Sequence, residues 1–305
     1  MRALIHDPDA PHGLRLGEAP EPEPAPAEAL VQVTASSINF ADLAFLRERF
    51  SSGEVPGFDA SGTVLAAAAG GTGPPAGTRV ATFGSSGGWA QRRAVDTAEI
   101  AVLPDGVDFG AAAALPAAGV TAVRAVRRLG PVVGRRVLIT GASGGVGRFA
   151  VQLAAHAGAH VAAAVGSAER GQGLAELGAA EVLVGLGDLA EPVHGALDTV
   201  GGQMLADVYA LLRPGGCVLS VGMASLQPTT IDFEAQRMRA ADTRIEAFNV
   251  GGQIGDDLAY LLSLLDAGEL DPQIGWRGSW DRATEAADAL TSRRLSGKAV
   301  LEVAP

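Results

Sequence analysis

Thr140-Gly141-Ala142-Ser143-Gly144-Gly145-Val146-Gly147 carries the most chemistry of any stretch in this sequence. The apolar run Arg136-Val137-Leu138-Ile139 precedes it and a helical stretch from Val146 to Ala157 follows it. A glycine-rich turn that leaves a strand and opens a helix suits a dinucleotide. Gly144 lets the backbone approach a pyrophosphate, Gly147 lets the helix pack closely on the strand, and the helix N-terminus offers free N–H groups and partial positive charge. Ser143, Gly145 and Val146 complete the turn. Ala142 stands where the usual fingerprint has its first glycine. The plain alternative is a structural tight turn, but a strand before and a helix after are the context that a dinucleotide site requires.

The choice of dinucleotide is read at the end of the next strand. NAD sites usually place an Asp or Glu there, roughly 20 residues on, to hold the ribose hydroxyls. Here the segment is Val165-Gly166-Ser167-Ala168-Glu169-Arg170, with no carboxylate at the strand end. Ser167 and Arg170 offer a hydroxyl and a guanidinium, which suit a 2′-phosphate, so NADPH is the expected cofactor. A solvated surface residue is the alternative for Arg170, because Lys298 is the only lysine among 23 basic residues and arginines are everywhere.

Metal chemistry is poorly supplied. A catalytic zinc needs Cys, His or carboxylate ligands around an open position. Cys217 is the single cysteine, so no cysteine cluster and no internal disulfide can form. The histidines are His6, His12, His156, His160 and His194. His156 and His160 have i, i+4 spacing, but a strand is expected to begin near His160, which denies them a common helix face. No metal site is expected.

The elements that must hold these residues follow from periodicity. Up to about residue 110 the chain reads as mostly β: Leu30–Ala35 alternates, and Gly62–Leu65 and Thr78–Phe83 are further strands. The pattern changes near Pro116. Arg136–Thr140, His160–Val165, Glu181–Val184, Ala196–Val200 and Cys217–Val221 are short apolar runs with helical stretches between them, one predicted over Ala168–Leu177 and ended by Gly178. Strand alternating with helix is the signature of a helix-covered parallel sheet. Helices are predicted over Asp256–Ala267 and Trp280–Ser292, and a last strand over Ala299–Val303. The 305 residues, 48% hydrophobic and 19% charged, are enough for one large domain or two ordinary ones. A net charge of −11 without basic clusters argues against nucleic acid and anionic membrane as partners. No apolar run suits a signal peptide or a membrane span, so a cytoplasmic protein is the expectation.

Motifs along the whole chain, taken in order, resemble the zinc-independent quinone oxidoreductase branch of the medium-chain dehydrogenase/reductase superfamily. Ser37-Ile38-Asn39-Phe40-Ala41-Asp42 is similar to its GINFxD segment. Val55-Pro56-Gly57-Phe58-Asp59-Ala60-Ser61-Gly62 resembles PGxExxG, with Asp59 for the commoner Glu. Gly77-Thr78-Arg79-Val80, Gly87-Gly88-Trp89-Ala90-Gln91, Ala114-Leu115-Pro116 through Thr121-Ala122, Leu197-Asp198-Thr199-Val200-Gly201-Gly202 and Ser296-Gly297-Lys298-Ala299 match further landmarks.

The resemblance implies an α/β chain: a doubly wound Rossmann domain over 114–246, inserted into a mostly β, GroES-like catalytic domain made of 1–113 and 247–305. It implies NADPH as hydride donor and a homodimer. It puts Asn39 and Thr121 beside the reacting centre, and Gly222, Phe248, Asn249 and Lys298 along the cofactor with the turn residues, Ser167 and Arg170. Some members carry a tyrosine shortly after the Asn-Phe segment; here Leu43-Ala44-Phe45-Leu46 has none. The implied reaction is hydride transfer to a quinone or an α,β-unsaturated carbonyl. Charge on the substrate oxygen would be met by the Asn39 amide, the Thr121 hydroxyl and the cofactor ribose, with no obvious proton donor. Two alternatives stand beside it: an enoyl-thioester reductase, and a binding protein that keeps NADPH without turnover. Asn39 bonding only its own turn, and Thr121 capping the helix after Pro116, are the structural alternatives for those two residues.

Overall fold

The structure, a computed structural model, describes residues 1–304. The chain opens with an antiparallel ribbon, β1 (Arg2–His6) and β2 (Leu14–Glu18). The long β3 (Glu28–Ile38) buries Val31, Val33 and Ala35 at alternate positions, the period that puts one face of a strand on a core. Two short helices, α1 (Phe40–Ala44) and α2 (Leu46–Arg49), lead to β4 (Asp59–Ala66), β5 (Arg79–Phe83), β6 (Arg92–Asp96) and β7 (Ile100–Val102). Helices α3 (Phe109–Ala113) and α4 (Pro116–Arg128) follow.

A run of alternating elements comes next: β8 (Arg136–Thr140), α5 (Gly145–His156), β9 (His160–Val165), β10 (Ala179–Val184), β11 (Val193–Asp198), α6 (Gln203–Ala210), β12 (Leu212–Ser220), α7 (Phe233–Arg239) and β13 (Arg244–Ala247). The chain ends with α8 (Gly255–Asp266), β14 (Ile274–Ser279), α9 (Ala283–Thr291) and β15 (Lys298–Glu302).

Two compact units result, Met1–Val120 with Gly251–Pro305, and Thr121–Val250. In the first, a sheet of order β14-β15-β3-β4-β5-β7, with β6 also on β3, joins both chain ends: β15 lies antiparallel to β3, pairing Ala299 with Ile38. Its core gathers Leu4, Val33, Ile38, Trp89, Trp280 and Leu301. In the second, six strands are all parallel in the order β10-β9-β8-β11-β12-β13. Counted by occurrence within the unit that is 3-2-1-4-5-6, the Rossmann order. Val137, Leu138, Ile139, Ala162, Ala163 and Ala196 are fully buried, as strands covered on both faces must be.

The predicted helix over Ala168–Leu177 does not form. That stretch holds a single 3-10 turn, Glu169–Gly171, followed by turns. Gly171 and Gly173 are poor helix formers, and Gly173 takes φ +77°, which an α-helix cannot accommodate. The strands β1, β2, β6, β7, β13 and β14 are not evident in the sequence, because they are short or irregularly patterned.

Candidate active site

In the second unit, the strand order reverses between β8 and β11, and ligands of open α/β sheets bind at the carboxyl ends of strands at such a point. The glycine turn sits there. Gly141 takes φ +57°, and a Cβ on it would lie 2.2 Å from Thr199 Oγ1. The tight-turn duty therefore falls on Gly141, one position before Ala142. A Cβ on Gly147 would lie 2.4 Å from the Gly141 carbonyl oxygen, so only glycine lets α5 approach β8 this closely. Gly144 is the N-cap of α5 and no side chain caps the helix, which leaves the first N–H groups, Gly145 and Val146 among them, for an anion.

The two polar residues read for the 2′-phosphate part company. Ser167 gives its hydroxyl to the exposed Glu169 carboxylate, whose pKa that bond lowers. Arg170 instead reaches back to the turn, its Nε donating to Ser143 Oγ at 3.0 Å. Ser143 and Arg170 are thus one unit at the rim of the anion cradle. Across from it, Asp198 at the end of β11 accepts from Thr140 Oγ1 (2.5 Å) and Gly201 N–H (2.7 Å) and is fully buried, with burial pushing its pKa up. Gly222 closes on this loop, where a Cβ would meet the Thr199 carbonyl at 2.9 Å. Phe248 is tied by its N–H to the Ser220 carbonyl, with Asn249 next to it and exposed. Thr121 lies inside α4, five residues past its first, so it does not cap that helix.

In the first unit the end of β3, the start of β4 and the start of β15 bring together a polar cluster under the sheet. Asn39 follows β3. Its backbone N–H and side-chain Nδ2 both donate to Asp42 Oδ2, at 2.8 and 3.0 Å, which closes the first turn of α1. The same Nδ2 donates to Asp59 Oδ2 at 2.9 Å, while Asn39 Oδ1 accepts from the Lys298 ammonium. Asp59 also accepts from Ser37 Oγ (2.7 Å), from Lys298 Nζ (3.4 Å) and, through Oδ1, from the Ala117 N–H (2.8 Å). That last bond caps α4 with a carboxylate, favourable at a helix N-terminus. Asp42, Asp59 and Lys298 are at most 2% exposed.

Every polar atom of the Asn39 amide is therefore engaged. The alternative in which Asn39 serves its own turn is realised, together with bonds reaching both ends of the chain. Asp42 and Asp59 stand within the motifs over 37–42 and 55–62, which by themselves give neither a role. The Asn-x-x-Asp spacing, a helix-start signature, is the signal that could have found Asp42. Arg93 adds a second buried cation; it donates to the Phe58 and Ser86 carbonyls and to Thr82 Oγ1, and burial lowers its pKa to about 10.

Two family models match the chain: the alcohol dehydrogenase GroES-like domain over residues 25–105 and the zinc-binding dehydrogenase domain over 145–267. A stretch of 163 residues, 48% of this chain and 49% of the other, is 38% identical to an acrylyl-CoA reductase, AcuI, of Ruegeria pomeroyi. The solved yhdH oxidoreductase of Salmonella enterica, in complex with NADP, is 27% identical, covers 100% of both chains and superposes with a TM-score of 0.82. The quinone oxidoreductase of Coxiella burnetii is 25% identical, over 100% of this chain and 99% of that one, with a TM-score of 0.86. The chain spans about half the length, or less, of the acrylyl-CoA reductase and the polyketide synthases among the curated relatives that it matches.

The name of one family model raises the question of zinc. The residues present do not fit it. Among the described residues no three His, Cys, Asp or Glu side chains gather where a metal ion could sit. Cys217 is buried in β12 with its thiol on Glu246. The place where Asp42 and Asp59 meet already holds a cation, the Lys298 ammonium.

Proposed function

The chain belongs to the medium-chain dehydrogenase/reductase superfamily and is quinone-oxidoreductase-like, and from that premise we propose that it is an NADPH-dependent reductase of quinones or α,β-unsaturated carbonyls that works without zinc. The observation that carries the reading is the turn at the Rossmann switch point. Gly141 and Gly147 are fixed by contacts that a Cβ would violate, the helix end is uncapped, the end of β9 carries no carboxylate, and Arg170 is held on Ser143. The NADP complex of the yhdH relative and the quinone oxidoreductase of Coxiella burnetii support it.

NADPH, when bound, supplies the hydride. The chain's own residues bind and orient. Gly145, Val146 and Gly147 present backbone N–H groups to the diphosphate, and Gly144, whose own N–H turns back to the Gly141 carbonyl, lets the backbone come close to it. Ser143 and Arg170, with Ser167, take the 2′-phosphate, and Gly222, Phe248 and Asn249 border the remaining dinucleotide. Asn39 and Thr121 are assigned the role of donors to the substrate oxygen, on which negative charge develops during reduction. Lys298 holds the Asn39 carbonyl and so sets which way the amide points. A quinone or enone spreads its charge by conjugation, so hydrogen bonds suffice where a plain ketone would need a strong acid or a Lewis acid.

The 38% identity to an acrylyl-CoA reductase favours one second reading, an enoyl-thioester as the physiological substrate. A steady-state panel of para-quinones, enones, enoyl thioesters and plain ketones, with NADPH and NADH, tests both. Turnover of conjugated acceptors with NADPH supports the proposal, and the best class among them names the substrate. Efficient turnover of plain ketones sinks it, and no turnover at all leaves an NADPH-binding protein. Elemental analysis should find no stoichiometric zinc; one zinc per chain with activity lost on chelation would refute the metal-free reading.

A further inference from the structure

The amide of Asn39 has two N–H groups, and both are spent on carboxylates: one on Asp42 Oδ2, the other on Asp59 Oδ2. A donor so placed can serve a substrate only if one carboxylate releases it. The two carboxylates are not equivalent. Asp59 is fully supplied, by Ser37, the Ala117 N–H, Asn39 and Lys298. Asp42 is 1% exposed and its Oδ1 has no hydrogen-bond partner at all. A buried carboxylate with one bare oxygen, sharing an amide donor with a second carboxylate, is costly as an anion and much less so once protonated.

We propose that Asp42 is a positioning residue that holds a proton and thereby controls the Asn39 amide. With Asp42 neutral, one amide N–H of Asn39 is available to an acceptor oxygen; with Asp42 ionised, the carboxylate claims it. A hydrogen bond to a charged acceptor is roughly twice as strong as one to a neutral acceptor, so the proton on Asp42 decides how tightly the amide is held. Burial first, and the neighbouring Asp59 second, push the Asp42 carboxyl up to about 7, against the pull of Asn39 and Lys298.

The ionisable groups facing Asp42 are Asp59 from β4, Lys298 from β15 and Arg93 from β6. Those on the helices that adjoin α1 — Arg47, Glu48 and Arg49 on α2, Glu285 and Asp288 on α9 — are exposed. The link to catalysis rests on the reductase reading, in which Asn39 meets the substrate oxygen; the link between Asp42 and the amide does not.

The experiment follows the Asn39 side-chain amide by heteronuclear NMR in the intact, ligand-free protein, its signals identified by their loss in Asn39→Ala. In the wild type they should move with pH with a midpoint near 7, and in Asp42→Asn they should stay put. Asp42→Ser, which keeps one oxygen for the Asn39 N–H, serves as the second variant and should also abolish the titration. An amide insensitive to pH in the wild type, or titrating alike in both variants, overturns the proposal.

Turnover adds a second reading. For a conjugated acceptor, wild-type kcat/KM should fall about tenfold per pH unit above the Asp42 titration, and that limb should vanish in Asp42→Asn. A titrating amide with no acceptor reduced supports the Asp42 switch and defeats the reductase reading. A limb that survives Asp42→Asn defeats the switch and leaves the reductase reading standing.

Discussion

Arg170 is where sequence and structure say different things about one side chain. The sequence pairs it with Ser167 because a hydroxyl and a guanidinium suit a 2′-phosphate; the structure hands Ser167 to Glu169 and gives Arg170 to Ser143. A guanidinium held at the rim of the turn is preorganised for a phosphate, and bidentate bonds of that kind are among the strong ones. Arg170→Ala should weaken NADPH binding by about 1.5–3 kcal/mol and leave NADH binding unchanged, measured by titration calorimetry. Equal losses for both cofactors would show that Arg170 serves the turn and not the 2′-phosphate. Asn39→Ala should lower kcat for quinones or enones by roughly two orders of magnitude, the usual cost of one donor at a developing oxyanion. NADPH binding, which is assigned above to residues of the second unit, should change far less; full activity in this variant would remove Asn39 from the mechanism. The residues around Asn39 were not legible as a cluster, because Asp59 and Lys298 stand 239 positions apart and meet only when β15 pairs with β3.

At the level of elements, the β8–turn–α5 unit was legible because each of its requirements is local. An apolar run, a turn glycine and a glycine six positions further on, at the start of the helix, are readable in order, and only the position of the first glycine was misplaced by one. The stretch over 168–177 was not legible, because Leu, Ala and Glu there favour helix while Gly171 and Gly173 oppose it, and periodicity alone does not weigh the two. The closeness of α5 to β8 gives an element-scale expectation. Gly147→Ala puts a Cβ 2.4 Å from the Gly141 carbonyl and 2.6 Å from Ala142 Cα, backbone atoms that cannot step aside as a side-chain tip could. The variant should lose about 1–3 kcal/mol of stability by overpacking and much of its affinity for NADPH. Gly187→Ala, with nothing within 4 Å and no positive φ, is the control and should melt close to the wild type. A Gly147→Ala protein as stable as that control would mean that α5 can move out without cost.

For the whole molecule, the buried carboxyl of Asp42 makes stability depend on pH in an unusual direction. Its ordinary value is 3.8 and its value in the fold is about 7. Between those two values the folded chain holds a proton that the unfolded chain has released. Folding stability therefore falls as pH rises through this window, by at most about 1.4 kcal/mol per pH unit, and above 7 the full penalty of a buried anion is present. Other groups act differently. The carboxyls of Asp7, Glu21, Asp108, Glu169, Glu246 and Glu285 are lowered, chiefly by arginine or hydroxyl partners and, for Asp108, against the opposing effect of burial; their contribution is present above the usual carboxylate range and is lost only in acid. His194, lowered by burial and by Arg135, is charged more readily in the unfolded chain, so it makes stability rise with pH through about 6.5. Asp198, raised by burial, acts in the same direction as Asp42. A single melting curve sums these opposing slopes, and the sum does not name its sources. The difference between Asp42→Asn and wild type does, because every other group is common to both. Denaturant unfolding of the two proteins from pH 5 to 8 should show Asp42→Asn gaining on the wild type as pH rises, with most of the gain complete by pH 7.5. A difference that stays constant across that range would mean that Asp42 is ionised throughout, and that the amide of Asn39 is held on it at every pH where the protein is folded.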